Sequence, residues 1–470
     1  MSTAVVGHKN PGLWKSLGEA IRGSRHNYTE GSISRAILLL ATPMVLEMLM
    51  ESLFAVVNVF WVTRLGSDAV ATVGLTESML TLVFSVAIGI SMSTTAMVAR
   101  RIGESKPREA AVAGSQSILL GCFIAVLMGV PAAIFAPELL ALMGASDAVI
   151  QQGSGYARIV LGSNVVVMLL FLQNGIFRGA GDAYLAMRVL WTSNLINLVL
   201  DPCFIFGIGP FPELGITGAA VSTLVGRSFG VAFQLWMLMT GRSRVHIHAS
   251  DFRIVPDVLK TLMRVSVTGI LQFAISHTSW IALVRMVSSF GSVAVAGYTI
   301  GIRIFIFAVL PSWGLSGAAA TMVGQNLGAG KPDRAQRAVY LTAFYNAIFL
   351  GAVALAFVLT PEVLVGLFTT DPAVSGYAVD CLRIIGFGNL AYAFGMVMVQ
   401  AFNGAGDTVT PTIVNVIGFW LVEIPVAWLL AYPAGLQVRG VFIAIPIAHV
   451  VITILGVTLF LRGKWKARAI

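Results

Sequence analysis

Twelve runs of roughly 20 apolar residues dominate this chain, near 37–62, 75–98, 110–135, 153–177, 185–208, 218–240, 262–287, 298–322, 337–360, 377–402, 410–432 and 441–461. Coiled as an α-helix, such a run matches the hydrocarbon thickness of a bilayer, whereas a membrane barrel needs shorter, alternating strands. Composition leaves no soluble alternative. Hydrophobic residues make up 57% of the chain and charged residues 11%, less than half the roughly 25% charged residues of soluble domains. The expected class is an all-α integral membrane protein embedded in a lipid bilayer. The net charge of +9 comes from basic residues scattered among the spans, so no nucleic-acid partner is expected. Cys122, Cys203 and Cys381 have apolar surroundings and no metal-ligand spacing, which points to packing. The first 35 residues are polar, so the first span is expected to act as the insertion signal.

The chain is also duplicated. FRGAGD at 177–182 returns as FNGAGD at 402–407, an offset of 225. At the same offset MVARRIGESKP (97–107) falls on MVGQNLGAGKP (322–332), and GSDAVA (66–71) on GSVAVA (291–296). Three blocks in one register mark a tandem repeat. The expected organisation is an N-terminal segment (1–35), a six-helix lobe (36–240), a linker (241–257), a second six-helix lobe (258–462) and a tail (463–470). Leu13, Trp14, Leu17 and Ile21 suit either one face of a short interfacial helix or a basic tail without structure.

The basic residues orient the spans. With the N-terminus in the cytoplasm, 23 of the 30 arginines and lysines fall inside and only Arg64 and Arg439 outside. Arg158, Arg227, Arg285, Arg303 and Arg383 lie within the spans or near their ends. Both termini are then cytoplasmic. Six spans per unit make the repeats parallel, which predicts two pseudo-symmetric lobes around a central cavity, rocking to give alternating access. The duplicated loops fall on the cytoplasmic side as turns that position helix ends.

Ionisable groups in the membrane core are costly and serve as functional candidates. Glu47, Glu51 and Asn58 fall on one face of the first span by helical spacing, predicted to face the cavity; for Glu47, nearer the cytoplasmic end, the alternative is a bond to a neighbouring span. Asn194, Asn197 and Asp201 repeat the pattern on the fifth, where Pro202 frees the carbonyl of Leu198. Together these oxygens suit a proton or Na+. In the second repeat Gln272 and Ser276 replace Glu47 and Glu51, and Glu47, Gln272, Ser276, His277 and Tyr392 are expected to line the substrate cavity. His277 is either a titrating group or a hydrogen-bonded structural one, and Glu423 is expected to be structural. Glu77 and Arg303, at the outer ends of the second and eighth spans, suit a closing ion pair or separate solvation in a vestibule.

Two six-helix halves, GAGD turns after the fourth and tenth spans, and VGQNLGAGKPDRA after the eighth resemble the MATE (multidrug and toxic compound extrusion) family. The resemblance covers nearly the whole chain from about Ser34. It implies a secondary transporter of the plasma membrane, exporting amphipathic organic cations in exchange for H+ or Na+, without a resident cofactor and acting as a monomer. In one prokaryotic branch the ion site joins an acid on the first span, an Asn and an Asp four apart on the fifth, and a Thr on the sixth. Asn197, Asp201 and Thr223 match that pattern. Asn58 stands where that branch has its first-span acid, and an amide does not titrate, so Glu51 is expected to take over part of the charge. Other branches carry acids on the seventh and tenth spans, where this chain has Ser276 and Tyr392. The alternative is a flippase or exporter of a lipid-linked or amphipathic metabolite, which would need basic residues in the cavity. Six scattered histidines offer no catalytic or metal cluster, so an enzyme is not expected.

Overall fold

The computed structural model describes residues 13–23 and 26–468, all but the side chain of Leu13. Lys9, Arg25 and the last two residues of the tail lie outside the described residues. Among them no strand occurs, and twelve helices are long and apolar enough to cross a membrane: Ile33–Thr63, Ser67–Gly103, Pro107–Ile134, Asp147–Ala180, Ala183–Phe206, Ile216–Met239, Pro256–Ser288, Ser292–Gly328, Pro332–Leu359, Pro372–Gly404, Val409–Ala431 and Val438–Leu461. They are called spans 1 to 12 in chain order. Several helices run beyond their apolar stretch because backbone hydrogen bonding continues where hydrophobicity stops; span 2 is the clearest case. Leu13–Arg22 forms a short helix with Trp14 84% exposed and Ala20 buried, the first of the two readings for that segment.

Packing follows the repeat. Span 2 lies on spans 3 and 4, and span 8 on 9 and 10; span 1 lies on 5 and span 7 on 11; span 5 packs on 6 and span 11 on 12. The lobes meet where span 2 touches spans 7 and 8, and span 8 touches span 1. These contacts are close enough to need glycine. Gly89 abuts Ile270, and its repeat partner Gly314 abuts Met44 and Val45. Nearer the helix ends Gly103 meets Gln325, and Gly328 meets Arg100 and Gly103. Such small-residue crossings let helix backbones approach and pack by dispersion.

Every hydrogen bond between the lobes among the described residues lies in the half that carries both chain ends. Thr321 donates to the Arg178 carbonyl (3.0 Å), Gln325 to that of Gly179 (2.9 Å), Lys331 to that of Thr29 (3.0 Å) and Ser93 to that of Leu262 (3.3 Å). The Tyr28 hydroxyl donates to the Gly181 carbonyl at 3.1 Å. Burial raises the Tyr28 phenol well above its usual range, so it stays a donor. On the opposite face Gly74 and Thr299, Glu77 and Arg303 are exposed. The molecule is closed on the terminus-bearing face and open on the other.

The two glycines and the aspartate of the repeated motif each have a task here. Gly179 lies against the Thr95 carbonyl of span 2, and Gly404 against Ala320 of span 8. Gly181 (φ 84°) and Gly406 (φ 77°) take the left-handed turn that ends spans 4 and 10. Asp182 accepts from Ser243 Oγ and the Arg244 amide, both at 2.7 Å, and Asp407 faces Arg468 at 3.9 Å. In both lobes the aspartate thus tethers the segment that follows the sixth helix.

The constant offset of 225 fails in one region. Residues Val416–Glu423 of span 11 are π-helical, which inserts a residue relative to span 5, and the following turn is shorter. Leu214 and Gly215 donate to Phe204 and Ile205; Leu436 and Gln437 make the same two bonds to Leu430 and Ala431. These pairs set the register at 226 beyond the π-helical stretch and at 222 in spans 6 and 12.

Gly328→Leu should wedge the lobes apart, at a cost of about 1–3 kcal/mol as in overpacked cores. The expected outcome is a lower melting temperature in detergent and faster thiol labelling of a cysteine placed at the buried Ala96. Unchanged labelling would mean that this crossing does not hold the closed face.

Candidate functional site

Span 5 stays helical through Pro202 and carries Asn194, Asn197 and Asp201, all buried, on one face. Asp201 is 0% exposed, and one of its oxygens, Oδ1, accepts a short hydrogen bond from Ser222 on span 6. The other, Oδ2, has no partner. Asn197 donates to Thr223 Oγ1 at 3.2 Å, which leaves its own oxygen without a partner, as is the oxygen of Asn58 on the adjacent span 1. Asn194 likewise has an unpartnered amide nitrogen. Three oxygens on neighbouring helices, one of them a carboxylate's, are the donor set a proton or a hard monovalent cation takes. No group of three His, Cys, Asp or Glu side chains arranged for a metal ion occurs among the described residues.

Glu51 is half-buried and makes no ion pair or hydrogen bond among the described residues, although Arg227 lies within electrostatic range of both Glu51 and Glu77. Counting charges along the sequence grouped Arg227 with residues within or near span ends. The structure places it at the middle of span 6, half-buried and unpaired among the described residues. The span read from the sequence, 218–240, already encloses it on both sides.

Glu47 bonds to a neighbouring span, the second of its two readings. It is 1% exposed, and its Oε1 accepts from Arg178 at 2.5 Å and from Asn174 at 3.3 Å, while Gln234 donates to Asn174 at 2.6 Å. It pairs with the arginine of FRGAGD near the closed face rather than facing the cavity. The second repeat removes both charges together, with Gln272 at the place of Glu47 and Asn403 at the place of Arg178. A lone buried charge would be costly, so the two substitutions are physically linked.

The remaining candidates are dispersed. Gln272 is buried, and its carbonyl accepts from Ser276 (3.2 Å) and Asn415 (3.4 Å). His277 Nδ1 lies 3.0 Å from the Phe273 carbonyl one turn earlier, the structural alternative for that residue. Tyr392 stacks on His449 with ring centroids 4.2 Å apart. Glu77 and Arg303 are exposed at the open face and form no ion pair among the described residues, as separate solvation would have it. Buried in the same lobe are Glu423, to which Ser279 donates at 2.5 Å, and His449, whose Nδ1 has no partner. His449 was not singled out in the sequence.

Known proteins match over this whole arrangement. The MatE family profile fits residues 43–203 and 269–429, one match in each lobe. The probable multidrug resistance protein YoeA of Bacillus subtilis is 27% identical over 450 residues, covering 93% of this chain and 96% of that protein. The FAD transporter of Shewanella oneidensis is 26% identical, covering 92% and 95%. Among solved structures, the outward-facing conformation of a multidrug resistance MATE family transporter superposes with a TM-score of 0.86 at 26% identity, covering 96% of this chain and 98% of the other. A transporter of the MOP superfamily from Pyrococcus furiosus, described as having a binding pocket of reverse polarity, gives 0.87 at 25%, covering 94% and 98%.

Glu47→Gln alone should leave Arg178 unpaired and destabilise the protein by up to about 3–5 kcal/mol. Adding Arg178→Asn, which installs the pair used by the second repeat, should recover most of that loss. Thermal unfolding of the three proteins in detergent checks this; additive losses would contradict the pairing.

Proposed function

The chain belongs to the MATE family, and from that premise we propose that it exports amphipathic organic cations by antiport with H+ or Na+, using alternating access. Relatives in this family are transporters rather than enzymes. In this reading the protein sits in the cell's inner membrane as a monomer, with the closed, terminus-bearing face toward the cytoplasm.

The observation that carries the proposal is Asp201. It is fully buried, receives one hydrogen bond and keeps a second oxygen free, and Asn197 one turn away and Asn58 on the adjacent span 1 also have free oxygens. A structural carboxylate in a membrane would normally be paired, as Glu47 is. An unpaired one gains by binding a cation, and the open cleft provides the route from outside. Cation binding at Asp201 and drug binding in the cleft then favour opposite arrangements of the lobes. Glu51, on the same face of span 1 as Asn58, supplies the attraction for a cationic substrate. A membrane potential of 100 mV contributes about 2.3 kcal/mol for each charge moved, enough to sustain accumulation gradients.

A second reading has one observation in its favour. Arg227 at mid-span would suit an anionic or zwitterionic amphipathic metabolite, and a relative is named an FAD transporter. The two readings differ in what Arg227→Gln does: organic-cation export survives it, whereas export of a phosphate-bearing substrate does not.

Purified protein in liposomes with an imposed proton or sodium gradient tests the main proposal. Asp201→Asn should reduce gradient-driven export of tetraphenylphosphonium to the level of empty liposomes, and Glu51→Gln should weaken it while leaving the protein folded. Full export by both variants would overturn it.

A further inference from the structure

Once the register is corrected, the second lobe is no longer poor in chemistry. Counted past the π-helical stretch, Glu423 stands at the place of Asn197, one turn from the place of Asp201. Counted in spans 6 and 12, His449 stands at the place of Arg227. Each lobe therefore carries a buried carboxyl on its fifth helix and a basic residue at the middle of its sixth.

The parallel extends to the surroundings. Glu423 is 4% exposed, and like Asp201 it is held by one serine hydroxyl, that of Ser279 on span 7. No lysine or arginine pairs with it among the described residues. The titratable groups facing it are Tyr298 of span 8 and Tyr392 of span 10, both within electrostatic range, while His449 of span 12 stacks on Tyr392. His277 of span 7 is engaged by its own helix. The Tyr298 hydroxyl, His449 Nδ1 and both polar atoms of Asn389 are buried without partners. Glu423 closes a π-helical segment, a distortion common at functional sites.

We infer that Glu423 is a second proton-exchanging carboxyl, so that one transport cycle carries a proton through each lobe. A proton leaves the Glu423 carboxyl for water in the cleft in one lobe arrangement and returns from the opposite side in the other. The O–H bond of the carboxyl breaks as one on water forms, and the reverse exchange restores it. The two-proton cycle rests on the antiport reading, but exchange at Glu423 can be read without transport.

Infrared difference titration of the purified full chain tests it through the carbonyl stretch of protonated carboxyl groups. Wild type should show two bands that appear and vanish reversibly with pH; Asp201→Asn removes one and Glu423→Gln the other. Ser279→Ala, a milder change, should move the Glu423 band in frequency without removing it. In liposomes the protons moved per substrate should fall from two to one in Glu423→Gln. The inference is overturned if the band assigned by Ser279→Ala stays constant across the pH range in which the protein is folded, or if Glu423→Gln leaves both bands in place. A titrating Glu423 band with no gradient-driven export would refute the antiport reading alone.

Discussion

Everything else in this structure hangs on the crossing of spans 2 and 8, where Gly103 lies on Gln325 and Gly328 on Arg100 and Gly103. Backbones touch there with almost no side chain between them. That contact joins two otherwise self-contained lobes, closes one face and leaves the other splayed. It is built from dispersion, and beside it Thr321 and Gln325 of span 8 donate to the Arg178 and Gly179 carbonyls of span 4. An interface of this kind gives rigid lobes and a separable seam, the mechanical requirement for rocking.

A second constraint sorts the charges. Hydrocarbon penalises an ion severely, so each ionisable group in the spans is either neutralised by a partner or held ready for one. Glu47 and Arg178 are of the first kind, which is why the duplicated lobe could discard both at once. Asp201 and Glu423 are of the second kind, each with a single serine for company.

The twelve spans and the duplication were legible because they rest on hydrophobic run length and exact block matches, which tertiary structure does not alter. The site was legible in part. Asn197 and Asp201 could be found from spacing and Thr223 from the resemblance; the structure sets Thr223 on Asn197, while the hydroxyl on Asp201 is that of Ser222. Glu47 could not be assigned, because helical spacing puts it on one face with Glu51, and its partner Arg178 lies 131 positions away. Glu423 and His449 were obscured for a different reason. All three matched blocks lie before the π-helical insertion, so nothing in them reveals that the register slips in spans 11 and 12. Carrying the 225 register into spans 11 and 12 hid these two residues, while in span 7 Gln272 and Ser276 do stand in place of Glu47 and Glu51.

The central claim is that cation occupancy of the buried carboxyls biases the arrangement of the lobes. The most direct measurement is the distance between spin labels at Gly74 and Thr299, repeat-related positions at the open ends of spans 2 and 8, in a background without the three native cysteines. The account predicts two distance populations in the wild type, exchanged by changing proton or sodium concentration and pushed the opposite way by tetraphenylphosphonium. It predicts that Asp201→Asn holds one population and loses the response to the cation. A single distribution indifferent to cation and substrate, or an Asp201→Asn variant that responds as the wild type does, would contradict it.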